Sequence, residues 1–371
     1  ARAMAEPETP RSDPRLERLT LTPELFLKDF NPDRDLAILS PMTEASYRQS
    51  VFMDDRLVRG GARDRALSLN ALGQVWQRSS SPARAVHYIG HMGHCGSTLL
   101  YRLLGELSGF HCLREPPVLV GLSRSLRRID TPGFPLDGYR WGQLLELAAL
   151  MMQRTWRPDD VAVVKPTSAV GNLLPALMNR TGNERGVLLY VHLEDWLPLM
   201  LRPEVRRETR LFARDFRLAD FREAAGATLE TPDSPGALAA MTWLLQAGEF
   251  ARLLRHPQTA SRVRLLHLDT LLEHPLAILA RRCDWFGKPQ TEDRLEAVCA
   301  RLLGADAKRP GQAYGPQARR SDLERARLES AAEVEAGIAW AHRTAGQVEA
   351  FAGLIEAFPA ATALPAPAPA A

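Results

Sequence analysis

The stretch Ala85-Val-His-Tyr-Ile-Gly-His-Met-Gly-His-Cys-Gly-Ser-Thr-Leu-Leu100 decides how this chain is read. Ala85 to Ile89 is a short apolar run with β-branched and aromatic residues, the pattern of a buried strand. Gly90, Gly93 and Gly96 follow as a glycine-rich turn, and then Leu99, Leu100, Leu103, Leu104 and Leu107 recur at helical spacing. Strand, glycine loop and helix therefore come in that order, with Ser97 and Thr98 at the helix start. Such an arrangement binds phosphate. Glycines let the backbone curl, several N–H groups converge, and the positive end of the helix dipole points at the same place.

The loop lacks the lysine that directly follows the last glycine in nucleoside-triphosphate loops. Gly96 is followed at once by Ser97, and the basic residue, His94, comes two positions before that glycine. The order basic–x–Gly–Ser/Thr–Ser/Thr–x–Leu in His94-Cys95-Gly96-Ser97-Thr98-Leu99-Leu100 resembles the 5′-phosphosulfate loop of sulfotransferases that use PAPS (3′-phosphoadenosine 5′-phosphosulfate). Histidine stands here in place of the usual Lys or Arg. The resemblance implies that Gly93, His94, Cys95, Gly96, Ser97, Thr98 and Leu99 contact the donor.

Outward from the loop, strands alternate with helices. Phe110–Arg114, Val161–Val164 ending at Lys165, Gly186–Val191 and Val263–Leu268 read as further strands. Helical stretches are expected over Trp141–Trp156, Asn172–Asn179, Glu194 to about Ala225, Gly236–Arg255 and about Pro275–Phe286. Nearly continuous apolar strands between helices predict an α/β, P-loop-like, doubly wound, mainly parallel sheet of about five strands, flanked by helices. Residues 1–80 show no strong strand pattern and read as a helical N-terminal extension. Residues 81–345 form the α/β domain, and 346–371 a helix end with an Ala/Pro tail that is expected to be disordered.

Ligands of such sheets bind at the carboxyl ends of the strands. That edge collects the glycine loop, Arg114-Glu115 and Lys165. Leu113-Arg-Glu-Pro-Pro117 resembles an Arg-Glu-Pro found in several sulfotransferase families, whose Glu is proposed to take the acceptor's proton; the bland alternative is a Glu115 that only pairs with a nearby arginine. Val-Val-Lys165-Pro-Thr resembles the family strand that ends in a Lys at the sulfate, or else a lysine that reaches the surface. The family also implies an Arg and a Ser after the fourth strand, holding the 3′-phosphate. Val191-His-Leu-Glu-Asp-Trp-Leu-Pro-Leu-Met-Leu201 has neither; Arg202, Arg206, Arg207 and Arg210 are the substitutes within reach, unless they form a solvated helix face. Leu266–Pro275 with Trp285-Phe-Gly287 resembles a family segment read as structural. Lys308-Arg309-Pro310-Gly311, Tyr314 and Arg319-Arg320 resemble a basic loop closing over the 3′-phosphate, with Arg309 and Arg319 as its donor contacts.

Composition narrows the rest. The chain has 371 residues, 45% hydrophobic and 25% charged, with a net charge of +3, too small to argue for nucleic acid. Cys95, Cys112, Cys283 and Cys299 form no CxxC pair and no zinc spacing, so no metal is implied, and their sparseness fits a reducing cytoplasm. No apolar run is long enough to span a membrane, and the polar first eighteen residues do not read as a secretory signal. The expectation is a cytoplasmic PAPS-dependent sulfotransferase-like enzyme spanning roughly residues 84–325. Glu115 would be its base, His94 and Lys165 would stabilise the leaving group, PAP would be the product, and a small-molecule, glycan or lipid hydroxyl (or amine) the acceptor. Two alternatives stay open: a nucleotide-dependent kinase, and a non-catalytic binding protein that kept the fold. Neither the acceptor nor the oligomeric state is written in the sequence.

Overall fold

The computed structural model describes residues 18–360 except 51–52, 55–62, 80, 130, 227–228, 230 and 304–314. Its centre is a five-stranded sheet of β4 (Val86–His91), β5 (Phe110–Arg114), β6 (Val161–Lys165), β7 (Gly186–Tyr190) and β8 (Val263–His267), in the order β5-β6-β4-β7-β8. Every neighbouring pair is parallel. Strands β5 and β7 are buried along their whole length, as strands covered on both faces must be. From central β4 the chain runs to β5 and β6 on one side, then crosses to β7 and β8 on the other. The topological switch point therefore lies at the carboxyl end of β4, where the glycine loop begins.

Helices cover the sheet: α3 (Ser97–Gly105), α4 (Pro117–Leu126), α5 (Gly138–Met152), α6 (Leu193–Leu201), α7 (Pro203–Phe212), α8 (Leu218–Ala225), α9 (Pro235–Arg255), α10 (Leu268–Glu273), α11 (Pro275–Trp285), α12 (Glu292–Leu302), α13 (Pro316–Glu329) and α14 (Ala331–Gln347). The single helical stretch expected from Glu194 to Ala225 is three helices joined through a π-turn at Ala213–Arg217. Pro203 causes the first break. It disfavours helical backbone in the preceding residue, and Arg202 is accordingly extended at φ −55°, ψ 144°. Asn172–Asn179 is likewise two short pieces, a 3-10 turn over Ser168–Leu173 and one α-turn at Leu174–Leu177, rather than one helix.

The N-terminal extension corrects the purely helical expectation. It holds a three-stranded antiparallel sheet, β1 (Leu25–Asn31), β2 (Leu36–Pro41) and β3 (Arg65–Ser68), beside the short helices α1 (Glu44–Gln49) and α2 (Leu69–Arg78). Prolines and charges hid β1 and β2, whose alternation is broken by a bulge between Leu27 and Asp29. Buried Arg154, beyond α5, ties this sheet to the core by donating to the carbonyls of Leu19 at 2.8 Å, Thr22 at 3.0 Å and Leu25 at 2.7 Å. Most of the Ala/Pro tail, residues 361–371, lies outside the described residues.

Candidate active site

The glycine loop is held in a conformation that ordinary residues avoid. Gly93 (φ 77°), His94 (φ 49°) and Gly96 (φ 78°) are all left-handed. Gly96 also sits against Leu268, whose Cδ1 a Cβ there would meet at 2.5 Å and push aside. A non-glycine residue in this region costs about 1–2 kcal/mol. Among the described residues only Asp35, His94 and Glu115 do this, and two of those three sit at this site.

Two side chains fix the loop. The Trp196 indole N–H donates to the carbonyls of Met92 at 3.2 Å and Gly93 at 3.1 Å. His91 Nδ1 accepts from the Gly93 N–H at 3.1 Å, which leaves Nε2 to carry the proton and donate to the Pro166 carbonyl at 2.9 Å. Helix α3 then starts at Gly96 with no side-chain cap, so its first-turn N–H groups are left for another acceptor. Ser97 and Thr98 are buried on that turn.

At the next strand ends, Lys165 and Glu115 meet. Lys165 is 1% exposed and its Nζ donates to Glu115 Oε1 at 2.5 Å. Burial pulls the Lys165 ammonium below its ordinary range, while the Glu115 carboxylate works against that loss. Glu115 is left-handed at φ 51°, and its own N–H donates to the Lys165 carbonyl at 2.6 Å. Beside them, buried Arg114 donates to Thr98 Oγ1 at 3.3 Å. Arg114 and Cys95 both act electrostatically on Lys165. Glu115, Lys165, Cys95 and Thr98 are therefore neighbours, and the partner of Glu115 is Lys165 rather than Arg114.

The downstream arginines divide. Arg202 Nη2 comes within 3.5 Å of His94 Nδ1, so the kink at Pro203 delivers a guanidinium to the loop. Arg206 turns instead to the Leu201 carbonyl at 3.1 Å and the Ser330 hydroxyl at 3.4 Å, bracing α7 against the α13–α14 junction. Arg319 is 2% exposed and pairs through Nε with Asp269. Its Nη1 and Nη2 are buried without an acceptor among the described residues. Arg309, with Lys308, Pro310, Gly311 and Tyr314, lies outside the described residues.

Sequence reasoning missed three participants. Trp196 lay in a stretch noted only for lacking an Arg and a Ser. His267 and Asp269 fell in a segment read as structural, yet Leu268 between them packs under Gly96. His267 Nδ1 accepts from the Asp269 N–H at 3.1 Å, so Nε2 carries the proton, and that atom too is buried with no partner. Burial holds the His267 imidazole below its usual range. Arg319 and His267 thus present three orphaned donors, for which an oxyanion is the natural ligand. The one available signal was that His267 ends, and Asp269 soon follows, a strand on the ligand edge.

No protein-family model matches this chain, and no curated protein does. Solved structures that match include several sulfotransferases. One is the sulfotransferase domain from the curacin biosynthetic pathway, with TM-score 0.38 and 14% identity over 68% of this chain and 99% of that one. Another is sulfotransferase STF9 from Mycobacterium avium, with TM-score 0.37 and 14% identity over 67% and 76%. A third is mouse sulfotransferase SULT7A1 complexed with PAP, with TM-score 0.33 and 7% identity over 70% and 79%.

Proposed function

We propose that the carboxyl edge of the sheet binds PAPS and transfers its sulfuryl group to the hydroxyl of a small-molecule, lipid or glycan acceptor. The observation that carries this reading is the pair of buried Lys165 and part-exposed Glu115, set beside an uncapped, left-handed loop. A triphosphate loop would need its lysine after Gly96; here the ammonium comes from a neighbouring strand and is already paired with a carboxylate that can act as a base.

The 5′-phosphosulfate would lie on the N–H groups of Gly96, Ser97, Thr98 and Leu99, with His94 and Arg202 at its rim. Arg319 and His267 would hold the 3′-phosphate, in place of the Arg and Ser that are absent after β7. Lys165 would move from Glu115 to the oxygen that bridges sulfur and phosphate. Glu115, released, would take the acceptor's hydroxyl proton as the acceptor's oxygen bonds to sulfur and the bond from sulfur to the bridging oxygen breaks, releasing PAP. The charge that develops on PAP is then met by Lys165 and the loop N–H groups, fixed before reaction. No metal is needed for these steps.

Thermal unfolding with PAP, with magnesium and ATP, and with neither tests the reading. A ligand at a hundredfold excess over its Kd stabilises the folded state by about 2.7 kcal/mol. Stabilisation by PAP and not by ATP is expected. The reverse result makes the protein a kinase. No effect from either favours a binding protein without a donor site.

A further inference from the structure

At the opposite, amino edge of the sheet the chain builds a second basic site. A cavity of about 410 Å³ opens there, with Arg185, Arg262, Trp285 and Phe286 among its walls. Guanidinium groups gather on Trp285: Arg264 lies 4.1 Å from the ring centroid and Arg185 5.3 Å. Among the described residues their side-chain hydrogen bonds go to backbone carbonyls, Arg185 to Trp285, and Arg264 to Ser261 at 3.0 Å and Val263 at 2.8 Å. About one turn earlier on α11, Arg282 is 6% exposed, and its Nε is buried without a partner.

Negative charge at this site is confined to one arginine's partner. Among the described residues Arg185, Arg264 and Arg282 have no carboxylate partner. The nearby buried acid, Glu184, accepts from the Thr181 and Gly182 N–H groups and lies 3.7 Å from Arg262. The arginines therefore act on one another. Arg264 is lowered by burial and then by Arg185. Arg282 is pushed down to about 10 by burial and then by Arg264 and Arg281. Assembling like charges in a part-buried site is unfavourable unless an anion arrives.

We propose that this cavity is a second anion site, for a small molecule bearing a phosphate or sulfate group, independent of the carboxyl edge. Planar guanidiniums match such oxyanions in paired hydrogen bonds. The cavity lies within the range of small-molecule sites, about 300–1,000 Å³, so it admits more than the oxyanion alone. Its volume and the small net charge of the chain, +3, suit a small ligand rather than a polymer backbone.

Arginine labelling with phenylglyoxal, read peptide by peptide by mass spectrometry, tests this on the unaltered protein and locates the ligand whatever the glycine loop binds. Inorganic pyrophosphate and glucose 6-phosphate are the probes, with sodium chloride at matched ionic strength as control. Labelling of Arg185, the cavity-wall arginine stacked on Trp285, should fall at least about fivefold with a probe and not with chloride. Protection by both probes assigns a phosphate ester; protection by pyrophosphate alone assigns an inorganic polyphosphate. Unchanged labelling with both, or an equal fall at every arginine, overturns the proposal. In calorimetric titration with pyrophosphate, Arg185→Gln should lose one equivalent of binding relative to the unaltered protein, while Lys165→Met keeps that equivalent. Equal stoichiometry in Arg185→Gln and the unaltered protein also overturns it.

Discussion

Lys165 and Glu115 join the ends of two adjacent strands twice: the Lys165 ammonium donates to the Glu115 carboxylate at 2.5 Å, and the Glu115 N–H donates to the Lys165 carbonyl at 2.6 Å. The backbone bond holds the carboxylate in place while the side-chain bond is free to exchange. Glu115→Gln keeps the shape and an acceptor for Lys165. It should leave PAP affinity within about threefold and lower turnover by about 10² or more, the usual worth of a positioned base. Turnover equal to that of the unaltered protein would remove Glu115 from the mechanism. The same substitution should lower the Lys165 pKa further, since Glu115 is the main influence holding it up against burial. Amine labelling of Lys165 as a function of pH reads that shift.

Positive φ at His94 and Glu115 sets function against stability. His94→Gly removes the side-chain clash of the left-handed conformation and should raise the stability of the free protein by about 1 kcal/mol, the usual penalty for a side chain in that region. It should at the same time weaken PAP binding. Denaturant unfolding and calorimetry of the same sample check both halves. A glycine variant with no gain in stability would mean that the surrounding packing relieves the strain.

Much of this architecture is legible in the amino-acid order, for physical reasons. Strands β4 to β8 are nearly continuous apolar runs, and Gly93, Gly96, Ser97 and Thr98 leave little choice for the backbone between β4 and α3. Lys165 could be placed on the ligand edge because it ends such a run. Its partner could not be read, since Arg114 is nearer to Glu115 in sequence, and only the register of β5 on β6 brings Arg114 opposite Lys165. The link from Trp196 to Met92 and Gly93 spans more than a hundred residues and follows no local period. The strands of the N-terminal sheet were missed because their pairing partners, not their own composition, make them strands.

Trp196→Phe isolates the loop clamp. Phenylalanine retains most of the buried ring and loses the N–H shared between the Met92 and Gly93 carbonyls. The stability cost should be about 1–2 kcal/mol, the range for leaving buried acceptors unpaired. PAP affinity should fall by about tenfold, because the loop then samples conformations that do not bind. Loss of stability with unchanged PAP affinity would reduce Trp196 to a core residue.

Acid sensitivity follows from two buried imidazoles. Burial holds His111 down to about 3 and His87 down to about 4. Both ionise near 6.5 when the chain is unfolded. Between those limits the unfolded state binds more protons than the folded one, so stability falls as pH drops from about 6.5 toward 4. Each group contributes a slope of up to about 1.4 kcal/mol per pH unit within that window, and neither contributes above pH 7. His111 is the cleaner target. It packs edge-on against Tyr47 with ring centroids 4.8 Å apart, and its Nε2 is buried without a partner. His111→Phe therefore keeps the ring contact and removes the proton site. Urea midpoints measured from pH 7.5 to 4.5 should fall less steeply in the variant, by nearly one proton's worth of slope near pH 5. Carboxylates titrate in both proteins and cancel in the difference. Parallel curves would mean that His111 is protonated in the folded state, with its charge met by solvent or by a rearranged neighbour.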